Sequence, residues 1–340
     1  MPQYSLACPG AATISQNDSG PPLHPILAIV GATATGKSDL AIELAQRVAG
    51  EVVNVDSMQL YRGMDIGTAK LTMTERRGVP HHLLDIWDVT QTASVAEYQR
   101  LADEAIDGIL ARGRVPILVG GSGLYVRAAL GDLDFPGTDE AARARLEAEL
   151  EAAGPGSLYD RLKAADPVAA AAILPSNGRR IVRALEVIEI TGRAFSATMP
   201  GYDNAPKHGW AARPGRAALQ VGIRLPRPEL DQRIEARVDR MFAAGFEAEV
   251  RDLADNHGLR GGKTASRALG YQQVLRYLDG DWTLEAARDE TVRATRRFAR
   301  RQESWFRRDP RVAWLDAAGN RLEQALAMWR SVTSQSPAGD

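Results

Sequence analysis

Short, wholly apolar runs alternate along this chain with longer segments in which apolar residues recur every three or four positions. Residues 26–30 (Ile-Leu-Ala-Ile-Val) and 115–119 (Val-Pro-Ile-Leu-Val) have the pattern of strands buried on both faces of a parallel sheet. Residues 51–56 alternate and stop at an acid, and residues 218–225 predict a further strand. Between them, residues 39–47 predict a helix with Leu40, Leu44 and Val48 on one face. Ser94 can cap another helix running to about Leu110. A later helix over 229–244 places Leu230, Ile234, Val238 and Met241 together and ends at Gly245. Strands alternating with helices predict an α/β fold, a P-loop NTPase-like parallel sheet core flanked by helices.

From Thr138 the pattern changes to Ala, Glu and Arg with helical spacing only. Thr138 is placed to cap a helix carrying Ala142, Leu146 and Leu150, and helices follow over 157–165, 167–174 and 179–191, the last closed by Gly192. In that last helix Ile181, Leu185 and Ile188 face inward, and Arg179, Arg180 and Arg183 are expected on exposed faces. The expected organisation is a flexible extension (1–24), the first part of the core (25–135), a mostly α-helical insertion domain (136–200), the core continued with C-terminal helices (201–315) and a tail (316–340). Residues 62–92 and 198–217 read as loops, rich in Gly or Pro.

Candidate chemistry begins at the end of the first strand. Gly31-Ala32-Thr33-Ala34-Thr35-Gly36-Lys37-Ser38 fits G-x-x-x-x-G-K-[ST], with strand, glycine loop and helix in the required order. Its backbone N–H groups and the helix N-terminus favour an anion, Lys37 adds an ammonium, and the Ser38 hydroxyl stands where a phosphate-bound Mg²⁺ would sit. On the loop alone the ligand is a phosphate compound, nucleotides such as ATP included, and kinases, hydrolases and transferases all remain open. Asp56, at a neighbouring strand end, is expected beside this loop, since ligands gather outside the carboxyl ends of parallel strands; a turn carboxylate is the plainer account. The 115–119 run ends at Gly120-Gly121-Ser122-Gly123 without the Asp that would order Mg²⁺ and water, which counts against an ordinary nucleotide hydrolase.

Bulk properties narrow the partners. The chain has 340 residues, 44% hydrophobic and 25% charged, with a net charge of -1, so any polyanion site must be a local patch. One such patch is Arg293, Arg296, Arg297, Arg300 and Arg301, interleaved with Phe298 and followed by Trp305; its plainer account is a solvated face paired with Asp289 and Glu290. A single cysteine, Cys8, excludes intramolecular disulfides and cysteine-based metal sites and fits a reducing cytoplasm. No apolar run reaches about 18 residues and no secretory signal is evident, so no membrane association is expected. His81-His82 with Asp85 lacks the spacing of a metal site.

The ordered set of the phosphate loop, Val55-Asp56-Ser57-Met58-Gln59-Leu60-Tyr61, Gly63-Met-Asp65-Ile-Gly-Thr-Ala-Lys70, His82-Leu-Leu-Asp85 and Gly120-Gly-Ser-Gly-Leu-Tyr125 resembles the tRNA dimethylallyltransferase family. The likeness continues through 179–186, 245–250 and 268–272, covering roughly residues 25–315. It implies transfer of a dimethylallyl group from dimethylallyl diphosphate to N6 of adenine 37 of tRNA, with Mg²⁺ at Ser38. Lys37 and Ser122 would be catalytic beside Asp56 as general base. The stretches that would contact tRNA are Asp56, Ser57, Met58 and Gln59; Ser122; Arg143; Arg179, Arg180, Ile181, Val182 and Arg183; and Arg267, Ala268, Leu269, Gly270, Tyr271 and Gln272. Ser122 stands where the family often has Thr, so a hydroxyl is kept. A monomer is expected. An isopentenyltransferase acting on free AMP, ADP or ATP, a small-molecule kinase and a non-catalytic RNA-binding protein are the alternatives.

Overall fold

The computed structural model describes residues 24–131, 133, 136–197, 216–316 and 319–333. Among these, β1 (His24–Gly31), β2 (Gly50–Asn54), β3 (His81–His82), β4 (Val115–Gly120), β5 (Arg216–Ile223) and β6 (Val312–Trp314) form one parallel sheet of 6 strands in the order β3-β2-β4-β1-β5-β6. The central strand β1 is apolar throughout because both its faces are covered: Ile29 lies between Val119 and Val221 in register. Alternation sends Ile26, Ala28 and Val30 into one core and Leu27 and Ile29 into the other.

Helix α1 (Lys37–Val48) covers the second face with Leu40 and Leu44. Helices α2 (Val95–Ala111) and α3 (Gly123–Ala129) cover the first. Four helices, α4 (Glu140–Ala153), α5 (Pro155–Ala165), α6 (Pro167–Ala172) and α7 (Gly178–Thr191), pack around a core of their own built from Leu146, Leu158, Leu162, Ile181, Leu185 and Phe195. Beyond β5, α8 (Arg227–Ala243), α9 (Phe246–Asn256), α10 (Tyr271–Leu278) and α11 (Leu284–Arg307) return to the first face. Among the described residues no helix is long and apolar enough to cross a membrane.

The α/β architecture is the one expected, with differences at several places. Residues 316–340 are not simply a tail: α12 (Arg321–Thr333) buries Ala325, Leu326 and Trp329 against the α1 face. Residues 334–340, like most of the 1–24 and 198–217 segments, lie outside the described residues. The 62–92 loop contains the edge strand β3, which pairs Val52 with His81 and Val53 with His82. Asp139, not Thr138, caps α4: it has extended backbone just before the helix and its carboxylate accepts from Ala141 N and Ala142 N at 2.9 and 3.0 Å.

The topology locates the site. From β1 the chain passes over β4 to β2, whereas from β4 it travels to β5 on the other side of β1. The crevice between the carboxyl ends of β1 and β4 is therefore the switch point where parallel sheets bind ligands.

Candidate active site

The loop after β1 turns through Ala34 (φ 64°) and Gly36 (φ 88°) before α1 begins at Lys37. The left-handed backbone at Gly36 is cheap only for glycine and aims the first amides of α1 inward. Thr35 donates its hydroxyl to Ala32 O at 2.9 Å, and Lys37 Nζ donates to the same carbonyl at 2.6 Å. Burial, with Arg237 adding like charge and Asp56 opposing both, pulls the Lys37 ammonium down to about 7.

Asp56 sits just past the end of β2, as expected. Its amide donates to Asn54 Oδ1 at 2.9 Å, and its Oδ1 accepts from Met58 N at 2.9 Å. Ser122, after β4, lies beside it: Ser122 Oγ accepts from Ser57 N at 3.3 Å. Thr33, Lys37, Ser38, Asn54, Asp56, Gln59, Arg237 and Gln302 all line one small cavity of about 70 Å³ at the switch point. Asp56, Thr33 and Arg237 also line a second, more apolar chamber of about 380 Å³, whose other walls include Met58, Phe246, Phe298, Arg267 and Leu269. A carboxylate thus stands between the glycine loop with Lys37 and an apolar chamber.

Arg237 and Gln302 are absent from the sequence-based candidates. Arg237, on α8, is half-buried and donates to Thr68 O at 3.2 Å; burial lowers its pKa, opposed by Asp56. Gln302, on α11, is 5% exposed and bonded to both glycine loops. Each carried a readable signal, a polar residue on the apolar stripe of its helix: Ile234, Arg237, Met241 and Ala299, Gln302, Phe306 share the i, i+3, i+7 spacing.

The remaining candidates divide. Gln59 donates to Thr68 O at 3.1 Å, so one amide donor is already committed to the protein. Arg267, Ala268, Leu269, Gly270, Tyr271 and Gln272 line the apolar chamber. Within that stretch Ala268 and Tyr271 are buried, at 5% and 0% exposure. Tyr271 donates to Glu249 at 2.6 Å, so its ring and hydroxyl build the wall and do not face a macromolecule.

Ile181 and Val182 are likewise buried, in the core of α4–α7, and cannot present side chains to a partner. Arg143 and Arg183 are not free surface charges: both pair with the fully buried Glu186, at 2.7 and 2.9 Å. Two guanidiniums there neutralise a carboxylate that burial would otherwise penalise. Arg179 and Arg180 are the exposed pair. On α11, Glu290 binds Arg293 and Arg297, so the plainer account of that patch holds for these two.

The motif residues outside the cavity also acquire physical roles. Lys70, 3% exposed in its side chain, bridges Asp65 at 2.6 Å and Asp85 at 2.5 Å and donates to Tyr61 O. Glu249 on α9 accepts from the amides of Asp65, Ile66 and Gly67 at 3.1, 2.6 and 3.1 Å. His82 pairs with the buried Glu51 at 2.7 Å, and His81 bonds Val79 O.

The profile of the IPP transferase family matches residues 59–309. The chain belongs to that family. A tRNA dimethylallyltransferase of Streptomyces coelicolor is 68% identical over 297 residues, covering 87% of this chain and 92% of its own. That of Thermobifida fusca is 64% identical over 309 residues, 89% and 93% of the two chains. The solved tRNA isopentenylpyrophosphate transferase of Bacillus halodurans is 40% identical with a TM-score of 0.63, over 92% of this chain and 96% of that one. A eukaryotic dimethylallyltransferase described as acting on tRNA superposes with a TM-score of 0.76 at 27% identity, over 93% and 81%. Family membership and fold agree with the resemblance noted from the motifs.

Proposed function

We propose that this chain is a tRNA dimethylallyltransferase, moving a dimethylallyl group from dimethylallyl diphosphate to N6 of adenine 37 and releasing diphosphate. The observation that carries the reading is Asp56 standing where the phosphate-loop cavity opens into the apolar chamber. The diphosphate lies against Lys37, Arg237 and the loop amides, and the adenine with the isoprenoid occupies the chamber. A flat base and a branched five-carbon chain both suit walls of Met58, Phe246 and Phe298.

The exocyclic amine attacks the allylic carbon as the carbon–oxygen bond breaks; the bonding pair leaves on diphosphate, and Asp56 takes the N6 proton. Lys37 and Arg237 stabilise the charge that grows on the leaving oxygens. Ser38 and Asp56 offer hard oxygen donors to the same cavity, and the described residues contain no cluster of three His, Cys, Asp or Glu ligands. That set fits Mg²⁺ held mainly through diphosphate and water, with Ser38 as its protein ligand. When bound, Mg²⁺ adds further neutralisation of the leaving group. The exposed Arg179, Arg180 and Arg267 would meet tRNA phosphates; the acceptor places the protein in the cytoplasm, and one chain supplies every group named, as a monomer.

Labelled dimethylallyl diphosphate incubated with unmodified tRNA tests the reading: label in the RNA, located at adenine 37 by mass spectrometry, is expected. Comparable turnover of free AMP, or transfer from γ-labelled ATP to a metabolite, would replace it with one of the alternatives.

Lys37 adds a pH signature. Its free pKa is about 7, and a bound diphosphate favours the ammonium, so binding above pH 7 takes up a proton. Affinity for an unreactive diphosphate analogue then falls by up to about tenfold per pH unit above 7 and levels off below it. Calorimetry at pH 8 in buffers of different ionisation enthalpy reads the uptake directly, and Lys37→Met abolishes it. Finding the same proton count in both proteins would mean that Lys37 does not meet the diphosphate.

A further inference from the structure

We propose that Gln302 is a positioning residue that sets the diphosphate grip and the Asp56 side of the site at a fixed separation, a reading that rests on the proposed transfer. Its amide fills the switch-point crevice. Gln302 Oε1 accepts from Thr33 N in the phosphate loop at 2.9 Å, and Nε2 donates to Gly121 O in the loop after β4 at 2.9 Å. Both bonds join residues far apart in sequence, and the amide is buried, so each is strongly oriented. The fit leaves no slack: a Cβ at Gly121 would lie 2.1 Å from Gln302 Nε2.

Each bond has a consequence for the reaction. Engaging Thr33 N takes that amide out of the phosphate-binding set and fixes the direction of the loop amides that follow. Holding Gly121 O fixes the next residue, Ser122, whose hydroxyl accepts from Ser57 N beside Asp56. Thr33, Gln302, Gly121, Ser122 and Ser57 thus form a continuous line from the diphosphate grip to the general base. Helix α11 anchors that line, and presents Phe298, one turn earlier, and the adjacent Arg301 to the apolar chamber. Because displacement at the allylic carbon needs the amine, the carbon and the leaving oxygen in line, a shift of about 1 Å between the two loops costs on the order of 10²-fold in rate.

Two variants separate positioning from mere packing. Gln302→Met keeps the shape and removes both bonds; kcat is expected to fall about 10²-fold while KM for dimethylallyl diphosphate and tRNA changes less than about threefold. Gln302→Glu carries its own switch. As a neutral acid it accepts from Thr33 N and donates to Gly121 O as the amide does, whereas ionised it repels that carbonyl. Burial and the Asp56 carboxylate raise the new carboxyl's pKa, against the pull of Lys37 and Arg237 in the same cavity, so activity relative to the native chain should rise as pH falls from about 8 to about 5.5.

A folded Gln302→Met enzyme with native kcat, or a flat activity ratio across pH for Gln302→Glu, overturns the proposal; if the Met variant does not fold, the Glu ratio decides. Hydrogen exchange needs no turnover. Peptides spanning 31–38 and 120–123 should exchange faster in Gln302→Met, or Gln302→Glu at pH 8, and unchanged exchange there again overturns it. If the native chain transfers nothing to tRNA, the functional reading fails, while exchange and affinity for a diphosphate analogue still judge Gln302.

Discussion

Asp56→Asn is expected to lower kcat for transfer to tRNA by about 10²- to 10⁴-fold while tRNA affinity stays near native. The asparagine keeps an oxygen for the Met58 amide, now 2.9 Å from Asp56 Oδ1, so the local turn survives. What it lacks is a basic site for the N6 proton. An amine conjugated with the purine ring is a weak nucleophile, and removal of its proton during attack is where a carboxylate contributes. Asp56→Ala should reach the same low rate with a further loss from the released Met58 amide. Single-turnover transfer with labelled donor, beside filter binding of tRNA, separates chemistry from binding. Native turnover in Asp56→Asn would remove the residue from the base role.

Glu249→Ala should destabilise the protein by about 3 kcal/mol, because three loop amides and the Tyr271 hydroxyl lose a charged acceptor together. For a chain of this length that corresponds to a Tm lower by on the order of 5 °C. Activity should fall too, by roughly tenfold, since the same loop is the anchor of the site. Thr68 O accepts from both Gln59 and Arg237, so a loosened 63–70 segment frees the two side chains that flank Asp56. Thermal unfolding and the transfer assay check both halves. A Tm within about 1 °C of native would show that the carboxylate is not the clasp its geometry describes.

Much of this was legible in the sequence because it depends on local order. The glycine loop could be read since its strand, glycines and helix start are contiguous within eight residues, Gly31 to Ser38. The parallel sheet was legible from unbroken apolar runs, which water would penalise on any exposed face. Asp56 was found because a strand end has a fixed relation to the ligand side of a parallel sheet.

Side-chain partners across long separations were not legible. Arg183 reads as an exposed cation until Glu186 is seen at 0% exposure between it and Arg143. Residues 316–340 read as a tail because a helix's value depends on the face it covers, here that of α1. Arg237, Glu249 and Gln302 share one hidden signature, a polar group three residues after one buried or half-buried apolar neighbour and four before the next. That spacing says a polar group points inward but not what it meets.

The sequence by itself therefore determined the α/β core, the glycine loop that opens α1 and the carboxylate at the neighbouring strand end, since each follows from backbone geometry over a few residues. Only the tertiary structure decided that Arg237 joins Lys37, that an apolar chamber opens behind Asp56, and that Gln302 ties the two glycine loops together. Those depend on helices up to 269 positions away along the chain, as between Thr33 and Gln302, meeting at one crevice. Such meetings are set by the packing of whole layers, which no local pattern encodes.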